Sequence, residues 1–333
     1  MVRRRWTGVL LASVLAVAGC SAGDSRGGAP PTTVPGTPGT TAGTTAPEPA
    51  PVPAPAPPPV PSNGEAKVVV SSRGVVLPVR AREGGGYRVE TPCANTALVR
   101  DGTPVAAAPV VLDVGHGGDE RGAVGPNGLS EKVVNLAVAR HAKAYLDGQG
   151  TATVLTRTGD YRMTLGTRAR VALALRPRAF VSIHHNSEPD GTRAGPGSET
   201  YYQVQSPGSK RLAGLIYEEV VRALSVYRVA WVADRDAGAK YRQNSRGGDY
   251  YGILRQTGEV TGVLAELAFI SNPPEADLLA RPDVQQVEGE AVARGILRFL
   301  TSDDPGSGYV TPYPRDEPAG PGGGSSGCVD PPL

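Results

Sequence analysis

The residues best able to do chemistry in this chain are few and oddly placed. The sequence has four histidines, His116, His141, His184 and His185. His116 lies in the stretch VVLDVGHGGDERGAVGPNGLSEK, just after the apolar run Val110-Val111-Leu112. Such a run reads as a buried strand entering a loop. The loop is rich in glycine, and a backbone without Cβ atoms can approach a ligand closely. Ser130 then precedes a helical pattern and can cap it, with Glu131 in the first turn. An imidazole at a strand end and a carboxylate at a helix start can converge on one metal ion.

Two further runs supply more candidates. His184 and His185 follow the strand-like stretch Ala179 to Ile183, and Glu266 sits inside the apolar run GVLAELAF. An isolated buried charge is expensive, so Glu266 needs a partner or a task. The candidates therefore fall at or near the ends of separate strands, where sites form in open α/β sheets. His141 lies mid-helix beside Arg140 and Lys143 and reads as a solvated face residue. For His185, adjacent strand positions point to opposite faces, which leaves a role in the groove open beside a structural one.

The elements that must position these groups alternate from Pro109 onward. Helices are expected at Ser130 to Asp147, Thr164 to Leu175, Ser209 to Leu224, Tyr250 to Gln256, Pro273 to Leu279 and Pro282 to Leu300. Strands are expected at Ala152 to Thr156, Ala179 to Ile183, Ser198 to Val204, Val229 to Ala233 and Val260 to Leu267. This alternation implies an α/β fold, with a mixed, mainly parallel sheet and helices on both faces. Short β-type runs between Lys67 and Arg100, broken by turn signals, make a small β-module in front of it. Residues 65–108 fit either an SH3-like mini-barrel that binds cell wall or an N-terminal extension of the main domain at 109–302.

The stretches VVLDVGHGGDERGAVGPNGLSEKVVNLAVA, VLTRTGDYRMTLGTRARVA, AFVSIHHN and GVLAELAFISN come in the order found in the zinc-dependent N-acetylmuramoyl-L-alanine amidases of the amidase_3 type. The chain resembles that family from about Pro109 to Leu300. Its members cut the amide between the lactyl group of N-acetylmuramic acid and the L-alanine of the peptide stem. The resemblance implies zinc held by His116, Glu131 and His184, with Glu266 as general base and acid. It implies peptidoglycan as substrate, in wall remodelling or daughter-cell separation. Asn186 matches the family's Asn after the ligand His and would orient the loop or the substrate. Arg157 and Arg168 match family positions. Anchoring of a stem-peptide carboxylate and pairing with Asp160 are both open for them, and Arg246 is a weaker candidate of the same sort. Three positions depart from the family: Val114 replaces Pro, His185 a small residue, and Ala268 Gly. Some members carry a long helix after the His-bearing strand that blocks the zinc. Here only HNSEPDGTRAGPG follows, and it is too short and broken for such a plug, so no autoinhibitory helix is expected. A catalytically silent wall-binding protein, or a zinc peptidase acting on another amide, are the competing readings.

The ends of the chain read differently. Arg3 to Arg5, the apolar Val9 to Ala18 and the ending LAVAGC form a lipoprotein signal peptide over residues 1–19, which implies lipid on Cys20. That places the protein outside the cytoplasm, anchored to the membrane and facing the wall. Residues 20–64 are rich in Pro, Ala and Thr and read as a disordered tether. Residues 303–333 return to Gly, Pro and Ser and are expected to be disordered. The net charge of +2 includes the three leader arginines, leaving −1 without them, which argues against nucleic acid as a partner. Of three cysteines, Cys93 and Cys328 remain once Cys20 is lipidated. Outside the cytoplasm such leftover thiols tend to pair.

Overall fold

The computed structural model describes residues 65–315, 318 and 324–333. The expected signal peptide, tether and lipidation site at Cys20 lie outside the described residues. The N-terminal module has strands β1 (Val68–Val70), β2 (Val76–Glu83), β3 (Gly86–Glu90), β4 (Thr96–Val99) and β5 (Thr103–Val105), in the antiparallel order β4-β3-β2-β1-β5. About forty residues are too few to close an independent core. The module completes its own by taking Tyr161 and Met163 from beyond it, against Leu77, Val89 and Val99. On its other side Val68, Val76 and Val105 join a second core shared with the rest of the protein. It is packed as an extension, not as a bead on a string.

From Val110 the chain alternates as its pattern requires: β6 (Val110–Val114), α1 (Glu131–Gly148), β7 (Thr153–Leu155), α2 (Leu165–Leu175), β8 (Ala179–Asn186), β9 (Gly191–Arg193), β10 (Glu199–Tyr202), α3 (Pro207–Leu224), β11 (Trp231–Ala233), β12 (Ala239–Lys240), α4 (Gly252–Gln256), β13 (Gly262–Phe269), α5 (Pro273–Leu279) and α6 (Pro282–Thr301). Six strands form one sheet in the order β12-β10-β13-β8-β6-β7. Only β10 runs antiparallel to its neighbour β13; the other pairings are parallel. α1 buries Val134, Val138, Ala142 and Leu146 at helical spacing. That stripe packs with α3 and α6 on one face of the sheet, against Val181 and Ile183. α2 and α4 cover the other face through Ala169, Val171, Ile253 and Leu254, against Phe180 and Leu264. Among the described residues, no helix is long and apolar enough to cross a membrane.

Disorder is expected for 303–333, yet the described residues there, 303–315, 318 and 324–333, include several held by defined contacts. After α6, Arg211 donates to the carbonyls of Phe299 and Asp304 at 3.1 and 2.7 Å. Ala239 N–H then donates to Gly308 O at 2.8 Å, and Val310 N–H to Ala239 O at 3.1 Å. The segment so pairs with β12 through a single parallel bridge, Ala239 to Tyr309. Farther on, Cys93 and Cys328 form a disulfide, with Cα atoms 5.6 Å apart. Asp330 accepts from Thr91 Oγ1, Cys93 N and Asn95 Nδ2 at 2.7 to 2.8 Å. Polar composition reads as disorder only when the partners are out of view. Here they lie far back in sequence.

Candidate metal centre

Two imidazoles and one carboxylate meet at the C-terminal ends of β6 and β8. His116 follows β6 with a left-handed φ of 59°, a conformation uncommon outside glycine and often found where function fixes the backbone. The carbonyl of His116 accepts from Arg168 Nη2 at 2.6 Å. Glu131 opens α1, but Ser130 makes no side-chain cap there. The glycine-rich loop caps the helix instead: Glu131 N–H donates to Ala123 O and Lys132 N–H to Arg121 O. Loop and helix start are thereby locked together, and Glu131 is aimed back at the strand ends. A Cβ on Gly122 would fall 2.4 Å from Glu131 Oε2, so this close approach requires glycine.

The distances are short. Glu131 Oε2 lies 3.0 Å from His116 Nε2, and Oε1 lies 2.8 Å from His184 Nδ1. One donor atom from each of the three residues falls within 4.8 Å of the others. Burial alone would raise the Glu131 carboxyl, but hydrogen bonds from the two imidazoles hold it well below the usual carboxylate range. The donor set of two imidazoles and a carboxylate fits a divalent metal ion.

Glu266 stands on the strand next to this cluster. On β13 it pairs in register with His184 on β8 and with Glu199 on β10. Its Oε2 is buried, and among the described residues nothing hydrogen-bonds to it. Burial first, and then the nearby charges of Glu131 and Glu199, push the Glu266 carboxyl well above its ordinary value. A carboxyl with one buried, unpaired oxygen and a raised affinity for its proton, beside a metal-type cluster, suits proton transfer. A cavity of about 190 Å³ opens next to the cluster, with His116, His184 and Arg168 on its polar side and Leu165, Ile253 and Leu264 on its apolar side.

The profile of the Amidase_3 family, described as N-acetylmuramoyl-L-alanine amidase, matches residues 110–298, more than half of the chain. The chain belongs to the Amidase_3 family. The protein YqiI of Bacillus subtilis, which is uncharacterised, is 38% identical over 207 residues, covering 62% of this chain and 88% of its own length. The germination-specific N-acetylmuramoyl-L-alanine amidase of the same organism is 32% identical over 212 residues, covering 60% of this chain and 82% of its own. Among solved structures, Cwp6 from Clostridium difficile superposes with a TM-score of 0.52 at 31% identity, over 59% of this chain. The match spans only 30% of Cwp6.

Not every candidate from the sequence lies at this Amidase_3 centre. Arg157 is fully buried, and its guanidinium donates to the carbonyls of Val114, Gly159, Gly115 and Lys132. It holds the His116 loop and has no face left for a substrate carboxylate. Arg168 bonds Asp113 Oδ1 at 2.9 Å and donates to the carbonyls of Met163 and His116. Neither arginine pairs with Asp160, which takes Lys132 Nζ at 2.6 Å. Asn186 donates to Glu199 Oε2 at 3.1 Å and accepts from Ser187 N–H, an orientation of the loop. Arg246 lies exposed in a loop closed by Asn244. His185 is turned away from the cavity: it is buried on the opposite face, between Asn135 of α1 and Glu288 of α6.

A second acidic cluster was not singled out from sequence. Glu199, Asp234 and Asp236 also bring carboxylate oxygens within 4.8 Å of one another. Side-chain cations fill it. Lys240 Nζ lies 2.6 Å from Glu199 and 2.7 Å from Asp236, and Arg315 of the C-terminal segment bonds Asp234 and Asp236 at 2.9 and 2.7 Å. Lys240 and Glu199 are fully buried.

Proposed function

We propose that this protein is a zinc-dependent amidase of peptidoglycan, cutting between N-acetylmuramic acid and the L-alanine of the stem peptide. The observation that carries the reading is the register of β8 and β13. It sets the Glu266 carboxyl, with its unpaired Oε2, beside His184, and so beside the His116 and Glu131 donors. The likeness to the germination-specific N-acetylmuramoyl-L-alanine amidase supports the same bond. His116, Glu131 and His184 would hold the ion, which when bound supplies a Lewis acid toward the scissile carbonyl and the attacking water. Glu266 takes the proton of that water and delivers it to the leaving nitrogen of L-alanine. Arg157 and Arg168 keep the His116 loop fixed, so that these groups need not reorganise during the reaction.

Lipid on Cys20, an extracytoplasmic location and a part in wall remodelling or cell separation belong to the same proposal and rest on the leader's sequence. For the β-module, the shared core with α2 favours an extension of the catalytic region over a separate wall-binding unit. Purified peptidoglycan digested with and without a chelator tests the activity. Mass spectrometry should find free lactyl carboxylate and new N-terminal alanine, both lost on chelation. Cleavage at any other bond, or cleavage that ignores the chelator, would overturn the reading.

A further inference from the structure

The buried pair behind the centre has no part in the chemistry described so far. His185 is 2% exposed and Glu288 is fully buried, on the face of the sheet covered by α1 and α6. Burying an imidazole and a carboxylate is costly, and an apolar pair would pack there with less penalty. Their contacts lead in one direction. His185 Nε2 faces Glu288 Oε2 at 3.4 Å, and His185 Nδ1 lies 2.7 Å from Asn135 Oδ1. Asn135 Nδ2 donates to Glu131 Oε1 at 3.2 Å and to Gly115 O at 3.4 Å. The backbone N–H of His185 also donates to Glu131 Oε1, at 3.2 Å. α6 comes close enough for this because of Gly289, where a Cβ would fall 2.5 Å from Val138 O.

We propose that His185 and Glu288 are positioning residues for the metal-holding carboxylate of Glu131, acting through Asn135. A carboxamide can present either its oxygen or its NH2 to a neighbour. Both ring nitrogens of His185 face oxygens, Glu288 Oε2 and Asn135 Oδ1; a ring that donates from both, as the imidazolium does, takes the oxygen of Asn135 and leaves the NH2 for Glu131. Glu288 holds the ring in the plane that keeps Nδ1 aimed at Asn135. Without His185 the oxygen of Asn135 loses its donor, and the carboxamide is free to rotate off the line to Glu131 Oε1. Partners behind a ligand fix its orientation and commonly set metal affinity.

The proposal rests on the zinc reading above, and the test separates the two. The zinc dissociation constant of the full chain is measured by competition with a chromophoric chelator, beside the melting temperature of the metal-free protein. His185→Ala should bind zinc about 10–100-fold more weakly. His185→Ala/Glu288→Leu removes the unpaired carboxylate that the single change leaves, and should be equally weak in zinc while melting higher than the single variant. Adding Asn135→Ala should cost little further affinity, since the same chain is already cut. His185→Asn, which places an N–H where Nδ1 stands, should recover most of the affinity. A folded double variant with the parent's zinc affinity would overturn the proposal and make the pair mere packing. A parent protein that takes up no zinc would sink the metal reading itself.

Discussion

Two clusters in this protein bring three candidate donor groups within the same span of one another, and they do opposite things with them. Around Glu131 the other two groups are imidazoles, which are neutral when unprotonated and leave room for a foreign cation. Around Asp236 all three are carboxylates, and the protein supplies its own cations, Lys240 and Arg315. Burial would raise the Asp236 carboxyl, yet hydrogen bonds from Arg315 and Lys240 hold it far below its ordinary value. Proximity of acids is therefore not what marks a metal site. The mark is a donor set whose charge the fold has not already balanced.

The contrast breaks first at His116. His116→Ala takes away an imidazole that the acidic cluster never had, so bound zinc should fall to background and wall cleavage with it. Elemental analysis that still finds full zinc in the variant would place the ion elsewhere. Glu266→Gln comes next: it should keep its zinc but turn over about 10²–10⁴-fold more slowly, the usual loss for a positioned proton carrier. Turnover near the parent's would remove Glu266 from proton transfer. The acidic cluster should answer in stability rather than metal content. Lys240→Met leaves Glu199 and Asp236 facing each other without their ammonium, and should lower the unfolding free energy by roughly 3–5 kcal/mol in urea titrations. Zinc content should not change; a loss of zinc there would mean the two clusters are not independent.

The smallest effect concerns pH. Glu266 titrates near its ordinary 4.5 when unfolded and well above that when folded. The folded metal-free protein thus binds this proton more tightly, and the stability it contributes below pH 4.5 is lost as pH rises through the folded value. The Gln variant has no such loss. Its melting temperature should pull ahead of the parent's by a few degrees between pH 4.5 and neutrality, with metal removed from both. A gap that stays constant across that range would show that folding does not shift Glu266.

Much of this was legible in the sequence because it rests on local patterns. The apolar stripe of α1 and the runs before His116 and His184 announce a helix and two strands by their periods alone. The site follows, since its donors sit at the ends of those elements. Three short strands did not show: β5 and β9 have three residues each and β12 only two, too few to establish alternation. The roles of Arg157 and Arg168 were hidden for another reason. Their partners are mostly backbone carbonyls, which every residue has and no composition reveals. The partner of His185 lies 103 residues away on α6. The order of the C-terminal segment depends on Asp236, 79 residues back from Arg315, and on a disulfide spanning 235. Long-range pairings of this kind leave no trace in a local window.

The short pairing between Ala239 and the C-terminal segment limits how small a working version of this protein can be. The family match ends at 298, ten residues before that pairing begins. A chain cut there would bare the N–H and C=O of Ala239 along the open side of the sheet, an invitation to strand addition from another molecule. It would also lose Arg315 and leave Asp234 and Asp236 to repel each other beside that edge. The edge of the sheet at Ala239 is thus covered by residues whose composition reads as spacer.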